Sequence, residues 1–246
     1  MSEQASLLAP ETPPERPPYV VFDTETSGLF DFKKPADAPG QPRLAALSMI
    51  WTRPDLSSFR EDMLYIKPEG WYMQPGAQAV NGLSQEFLMA NGRPITEALE
   101  LYETAVREGY VFAAFNAQFD TKVMRAEFRR AGKDDLFEQV KNVCVMKKSV
   151  GVCKIPYADP KKNGYKFPKL EEACAHWKIQ RAPRQKNKAI GDARDALAVL
   201  RCLDSIGIDL TPEVHYAKSR SVDERTAAPA EPVARSSGDS DAEIPS

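Results

Sequence analysis

The sequence predicts a single α/β domain in which a mixed sheet is covered by helices. Short runs of aromatic and β-branched residues, typical of buried strands, alternate with longer stretches whose apolar residues recur at helical spacing. The chain has 246 residues, 42% of them hydrophobic, which suffices for one full core and is cramped for two. We therefore expect one domain over residues 19–210. We expect residues 1–18 to form a Pro-rich flexible leader and residues 211–246 to form a disordered tail of Ala, Pro, Ser and acidic residues.

The first predicted strand ends in two carboxylates. Residues 19–22 are apolar without interruption, Asp23 follows directly, and Glu25 lies two residues further on. Because side chains at positions i and i+2 of extended backbone point the same way, both acids aim at one region of space. Two negative charges this close need a counter-ion or a shared proton. The pair therefore indicates either a cation site or two solvated acids at the mouth of a strand.

The following segments continue the sheet and begin the helices. The stretch at 31–43 is rich in Pro and longer than most connections within a domain, so we expect it to be functional or mobile. Residues 44–51 and 63–66 are predicted strands that can form an antiparallel meander with the first. Helices are predicted from Pro75, from Gln85 with Ser84 as the cap, and from Pro94.

A second group of polar residues follows the next buried strand, predicted at 110–115. Asn116 comes directly after it, and Asp120 lies in the first turn of a helix that continues to about residue 131. An acid in a first turn is ordinary helix chemistry, and Asn116 can serve as a cap. The carboxyl end of a buried strand is also where α/β sheets place their sites. Both interpretations stay open at this point.

The last part of the predicted domain adds a further acid on a long helix. Residues 140–146 are predicted as a strand or a helix, and residues 170–177 as a short helix. The final helix spans about 189–206, with Asp192 in its first turn and with Arg194 and Asp195 on its exposed side. The predicted sheet then has about five strands.

Charge and cysteine content bear on the kind of partner and on the cellular compartment of the protein. Net charge is −2, but residues 141–188 carry 13 Lys and Arg against 3 acids, which indicates a basic lobe for a polyanion or a merely soluble surface. The four cysteines lie 9, 21 and 28 residues apart and are expected to be free thiols in a reducing compartment. The sequence shows no signal peptide and no apolar run of membrane length, so we expect a cytoplasmic protein without a membrane partner.

Four acids thus lie at strand ends or in first helical turns, and their order resembles the DEDD superfamily of 3'-to-5' exonucleases over residues 19–205. The segment 23–29 reads Asp-Thr-Glu-Thr-Ser-Gly-Leu and matches the first motif of that superfamily. The segment 116–120, Asn-Ala-Gln-Phe-Asp, matches the second, and residues 74–84 are similar to the linker between the two. The resemblance implies an RNase H-like fold of the DnaQ-like exonuclease type. The acids concerned are Asp23, Glu25, Asp120 and Asp192.

The third motif departs from the pattern of the superfamily. Its histidine branch has His five residues before the fourth acid, and this sequence has Asn187 there. Its tyrosine branch has Tyr four residues before that acid, and this sequence has Lys188. The two histidines, His176 and His215, are out of register. Asn cannot accept the proton of an attacking water near neutral pH, although its side chain can orient the water.

The resemblance also implies a function. The four acids would bind two Mg²⁺ or Mn²⁺ ions and, with Asn187 in the general-base position, release nucleoside monophosphates from the 3' end of single-stranded DNA. Thr26, Gly28 and Leu29 would contact the terminal nucleotide, and Asn116 would help to hold the strand. The same reaction on RNA is an alternative, because no residue reads the 2'-hydroxyl. A weakened protein that binds ends without cutting them is another, and the tails identify no protein partner.

The basic segment also contains three aromatic residues, Tyr157, Tyr165 and Phe167. Aromatic rings among lysines can stack on bases while the lysines follow the phosphates. The same rings can instead anchor the loop to the core. The sequence leaves both interpretations open.

Overall fold

A six-stranded mixed sheet forms the centre of the structure. The computed structural model describes residues 16–31, 33–181 and 188–214. The strands are β1 (Tyr19–Thr26), β2 (Leu44–Thr52), β3 (Ser58–Tyr65), β4 (Val111–Ala114), β5 (Lys141–Cys144) and β6 (Glu213–Val214). Their order across the sheet is β3-β2-β1-β4-β5-β6, with β1 antiparallel to β2 and parallel to β4. The carboxyl ends of β1 and β4 therefore lie at the same edge of the sheet.

Differences from the predicted strands occur where the local pattern is weak. β3 begins at Ser58 rather than at the predicted residue 63. Its first half is exposed, so it lacks the run of apolar residues that marks a buried strand. The segment predicted as strand or helix is both, since β5 ends at Cys144 and a helix begins at Val145. The short strand β6 lies in the segment predicted as a tail and pairs antiparallel with β5. The sheet thus has six strands rather than the predicted five, and the additional strand lies at its edge.

Seven α-helices cover the described part of the sheet or connect its strands. They are α1 (Pro75–Asn81), α2 (Gln85–Asn91), α3 (Ile95–Arg107), α4 (Ala117–Arg130), α5 (Val145–Cys153), α6 (Leu170–His176) and α7 (Lys188–Ser205). Ser84 caps α2 as predicted, because its hydroxyl accepts the Phe87 N–H at 3.1 Å. Among the described residues, no helix combines the length and apolarity needed to cross a membrane. The four cysteines are free thiols.

Alternate residues of β1 pack into two different layers. Phe22 packs edge-to-face against Tyr102 of α3, and Tyr102 in turn contacts Phe128 of α4. This face of β1 therefore packs against α3 and α4. Tyr19 and Val21 belong instead to the apolar core that α5, α6 and α7 cover. Residues 19–22 are at most 3% exposed. Burial on both faces explains why the run carries no polar interruption.

Side chains hold the long connection between β1 and β2 in place. The Gln41 amide, in a residue only 7% exposed, accepts the Asp31 N–H at 2.9 Å and donates to the Asp31 carbonyl at 2.8 Å. Glu127 of α4 accepts hydrogen bonds from Arg43 Nε at 2.9 Å and from the Leu44 N–H at 3.0 Å. These contacts fix the described residues of the loop against the start of β2 and against α4.

Candidate metal centre

Three carboxylates meet at the carboxyl half of β1. Asp23 and Glu25 lie on the face of β1 that α7 covers, and Asp192 comes from α7 itself. One carboxylate oxygen from each residue lies within 4.8 Å of the others. Ser48 of β2 positions the start of α7, because its hydroxyl donates to the Ala189 carbonyl at 3.0 Å. Tertiary packing thus brings the acid pair of β1 to the acid near the C-terminal end of the domain.

The place of Asp192 within its helix differs from the prediction. The helix α7 begins at Lys188, so Asp192 is its fifth residue and lies in the second turn rather than the first. At this position Asp192 lies beyond the first turn of α7 and next to the end of β1. The resulting group of three acids is referred to below as the acid cluster.

Asp120 lies beside the acid cluster but on the other side of β1. It is in the first turn of α4, as predicted, and is 4% exposed. Its Oδ1 accepts the Thr24 N–H at 3.0 Å and the Thr24 hydroxyl at 2.7 Å. Because neighbouring residues of a strand alternate in direction, Thr24 faces α4 while Asp23 and Glu25 face α7. The hydrogen bonds to Thr24 keep the Asp120 carboxyl at the rim of the cluster.

The environment of Asp120 opposes its negative charge. Burial raises the pKa of Asp120 to about 7, against two hydrogen bonds from Thr24 that act to lower it. The nearby charge of Glu25 adds to the rise. A cation near this carboxyl group would favour its ionised form and lower its pKa.

The Arg181 guanidinium serves as a counter-ion to Asp192. Its Nη2 lies 2.8 Å from Asp192 Oδ1, and its Nε donates to Asp195 Oδ2 at 2.5 Å. Burial acts to lower the pKa of Arg181, but the hydrogen bond to Asp195 and the charges of both aspartates raise it overall. The prediction that Asp195 is exposed is wrong, because Arg181 covers it and leaves 12% of the side chain accessible. Arg194 is exposed as predicted.

The turn that follows β1 is tied to the linker helix α1. The Asn81 side-chain amide donates to the Thr26 carbonyl at 3.1 Å. The Gln74 N–H donates to the Ser27 carbonyl at 2.8 Å, and the Thr26 hydroxyl donates to the Gly28 carbonyl at 2.8 Å. The linker segment recognised in the sequence therefore holds the first motif in shape.

Of the residues predicted to contact the strand, Leu29 and Asn116 are exposed, whereas Gly28 is buried. A Cβ added to Gly28 would lie 2.5 Å from the Gln74 side-chain amide, so a larger residue at this position would require the end of that flexible side chain to shift. Leu29 is 88% exposed although it is a large apolar residue. Asn116 occupies the cap position of α4, but its side chain makes no capping hydrogen bond, and the capping interpretation is wrong. The Asn116 residue is exposed instead.

The general-base position lies outside this description. Asn187 and His215 are not among the described residues, so the role of Asn187 stays a prediction. His176 is the last residue of α6, is exposed, and stacks edge-on against Trp177.

Some residues that shape the site were not identified from the sequence. The orientation of Thr24 could have been predicted, because the residue between two acids of one strand must face the opposite layer. Arg181 had none, since it lies 11 residues before Asp192 in irregular chain, without a spacing that would pair the two.

Solved structures similar to this chain include several of exonuclease I. E. coli exonuclease I in complex with a 5cy-dT13 oligonucleotide aligns with a TM-score of 0.60 at 18% identity, over 78% of this chain and 41% of that chain. Exonuclease I from Methylocaldum szegediense aligns with a TM-score of 0.62 at 20% identity, over 79% and 42%. The chain has the fold of exonuclease I. The RNase H-like α/β fold class predicted from the sequence is thereby confirmed.

Other comparisons define the extent of this likeness. The zinc-bound form of the E. coli exonuclease I complex with single-stranded DNA aligns with a TM-score of 0.60 at 18% identity, over 78% of this chain and 41% of that chain. This chain spans about two fifths of the length of these enzymes. No protein-family model matches the sequence, and no curated protein matches it.

Proposed function

We propose that this chain is a 3'-to-5' exonuclease that uses divalent metal ions to release nucleoside monophosphates from single-stranded DNA. The observation that carries the proposal is the convergence of Asp23, Glu25 and Asp192 within 4.8 Å on a domain with the exonuclease I fold. The similar structures include complexes of exonuclease I with single-stranded DNA, which supports DNA as the polymer. One of them binds zinc, in keeping with a divalent cation.

The donor set of the acid cluster fits a hard divalent cation. Carboxylate oxygens are the ligands that Mg²⁺ and Mn²⁺ prefer. Asp23, Glu25 and Asp192 would hold the ions, and Asp120 would join them in its ionised form, which a nearby cation favours. When bound, two such ions supply activation of a water and charge stabilisation at phosphorus.

The residues around the cluster would hold the 3' end. Leu29, exposed beside the acids, would wedge against the terminal base. Gly28 would permit close approach of the strand to the backbone once the Gln74 side chain that covers it moves aside. Thr26 lies in the same turn, and the exposed Asn116 would contact the strand from the start of α4. Asn187 would orient the attacking water by a hydrogen bond without taking its proton.

The decisive experiment follows a 5'-labelled single-stranded DNA in the presence of Mn²⁺. Wild-type protein should produce a ladder that shortens from the 3' end, and EDTA should stop it. Asp23→Ala should abolish the ladder, because it removes one ligand of the cluster. Asp134→Ala is the matched control, since Asp134 is exposed in the loop after α4 and its loss should leave the rate unchanged. Undiminished degradation by Asp23→Ala would sink the assignment.

Asn187 at the histidine position favours a second candidate function, a protein that binds nucleic-acid ends without cutting them. General-base help contributes about 10²- to 10⁴-fold to a rate, so its absence leaves either a slower enzyme or none. Wild type and Asn187→His should be compared on matched DNA and RNA oligonucleotides. A gain in rate with His places residue 187 at the general base. Binding of 3' ends without hydrolysis by wild type would establish the binding protein, and preference for RNA would establish an exoribonuclease.

A further inference from the structure

The segment between α5 and α6 presents lysines and aromatic rings to solvent. This lysine-aromatic loop, residues 154–169, contains five lysines and one acid, Asp159. Tyr157, Tyr165 and Phe167 are 36%, 44% and 56% exposed. Rings that anchored the loop to the core would be buried. The anchoring interpretation left open by the sequence is therefore wrong, and the rings are available to a partner.

Backbone contacts hold the lysine-aromatic loop in a defined shape. Pro156 and Tyr165 form an antiparallel bridge, and the Lys166 N–H donates to the Ile155 carbonyl at 2.9 Å. Gly164 has a φ of 88°, which lets the chain turn back into the bridge. A partner would therefore meet preformed rings, and less conformational entropy is lost when it binds.

The charges of the loop suit a polyanion. Lys154, Lys161 and Lys169 are exposed, while Lys166 is paired with Glu172 of α6 at 2.5 Å. The Asp159 carboxylate accepts the Lys161 N–H at 3.0 Å, so the one acid of the loop is engaged with backbone. Lysines beside exposed rings match the alternating phosphates and bases of a single strand.

Ring and charge also lie together within the loop. The Lys162 ammonium lies 5.5 Å from the centre of the Tyr157 ring. A base that stacks on this ring in place of the ammonium would leave the same lysine free to pair with a neighbouring phosphate. This pairing favours a nucleic acid over an acidic peptide, which offers charge but few flat rings to stack.

The loop ends close to the acid cluster. The Lys169 N–H donates to Glu172 at the start of α6, next to Glu171. Glu171 lies 4.0 Å from Arg181, which in turn lies 2.8 Å from Asp192. Two ion-pair contacts thus connect the first turn of α6 with the candidate metal centre. A strand whose 3' end reaches the cluster has the loop nearby.

We infer that the lysine-aromatic loop is an auxiliary binding surface for single-stranded nucleic acid. It holds nucleotides on the 5' side of the terminal one by stacking on its rings and by pairing its lysines with phosphates. This inference rests on the proposed function only for the placement of the 3' end. Stacking does not read the 2'-hydroxyl, so DNA and RNA strands should bind the loop alike.

Binding without catalysis tests the inference directly. A fluorescein-labelled oligo-dT of about 20 nucleotides is titrated with protein in EDTA, and anisotropy gives the dissociation constant. Replacing Tyr165 and Phe167 together by Ala should weaken binding about 10- to 100-fold. Phe59→Ala is the matched control, because that ring is also 50% exposed and lies 5.3 Å from the Arg53 guanidinium, at the start of β3. The control should bind like wild type.

Salt dependence tests the lysines separately. Removing one lysine that pairs with a phosphate should reduce the slope of log K against log salt by about 0.7 for a single strand. Lys161→Gln and Lys162→Gln should each lower the slope by that amount. Thermal melting of every variant shows whether the fold is intact.

The outcomes separate this inference from the proposed nuclease activity. Hydrolysis of a dinucleotide should be the same in the double variant and wild type, whereas KM for the long strand should rise. Wild type that binds the strand but never cuts it would overturn the proposed function and leave the loop assignment standing. Equal affinity of the double variant and Phe59→Ala would overturn the loop assignment. Equal competition by a polyglutamate peptide would also overturn it.

Discussion

Replacing Glu127 by Gln tests how strongly the loop between β1 and β2 is held. The Glu127 side chain is 1% exposed and pairs with Arg43 at 2.9 Å and with Arg130 at 2.8 Å. It also accepts the Leu44 N–H at 3.0 Å. Gln has nearly the same shape but carries no charge, and its NH2 group replaces one of the two acceptor oxygens and cannot accept a hydrogen bond from an arginine. The substitution therefore removes the shared partner of two partly buried cations.

The size of the loss follows from these exposures. Removing one member of a fully buried ion pair costs about 3–5 kcal/mol. The side chains of Arg43 and Arg130 are 26% and 16% exposed, so water can partly replace Glu127. Screening of this kind reduces the expected loss in free energy of unfolding to about 2–4 kcal/mol.

Urea denaturation followed by circular dichroism measures this loss. With an m value of about 1–3 kcal/mol per molar urea, the midpoint should fall by about 1 M or more. Glu103→Gln is the matched control, since Glu103 pairs with Lys133 while both side chains are about a third exposed. That control should lose less than about 1 kcal/mol. Equal small losses in both variants would refute the reasoning.

Four further predictions concern the metal centre and the backbone. Arg181→Gln should weaken Mn²⁺ binding in calorimetry about 10-fold, because the Asp192 carboxylate would no longer be held in position. Arg194→Gln, on the same helix as Asp192, should leave Mn²⁺ binding unchanged. Tighter Mn²⁺ binding by Arg181→Gln would contradict the positioning role of Arg181. Gly92→Ala should cost about 3 kcal/mol, because its Cβ would lie 2.4 Å from backbone atoms. Gly28→Ala should cost less than about 1 kcal/mol in calorimetric melting, because its Cβ meets only the end of a flexible side chain. In EDTA, the contribution of Asp120 to the free energy of unfolding should fall as pH rises from about 4 to 7. The reason is that folded Asp120, with a pKa of about 7, keeps a proton that the unfolded chain releases near 3.8. Urea midpoints of Asp120→Asn should lack this pH dependence.

Features that depend on local periodicity could be predicted from the sequence. The two-residue repeat of a strand puts Asp23 and Glu25 on one face, and the structure shows their carboxylates together. Helix spacing and capping placed Ser84 at the start of α2. By contrast, β6 is only two residues long and is stabilised by pairing with β5, so no local pattern marks it.

Contacts between distant segments were decided by tertiary structure alone. The hydrogen bonds of Asp120 span 96 residues to Thr24, and the ion pair between Arg181 and Asp192 joins an irregular segment to a helix. The exposure of the rings in the lysine-aromatic loop likewise depends on tertiary structure and not on the local sequence. The sequence by itself determined which acids this protein has and how they alternate along β1, because these follow from covalent order and backbone geometry. Only the tertiary structure decided which groups meet them, because burial and pairing depend on how separate elements pack.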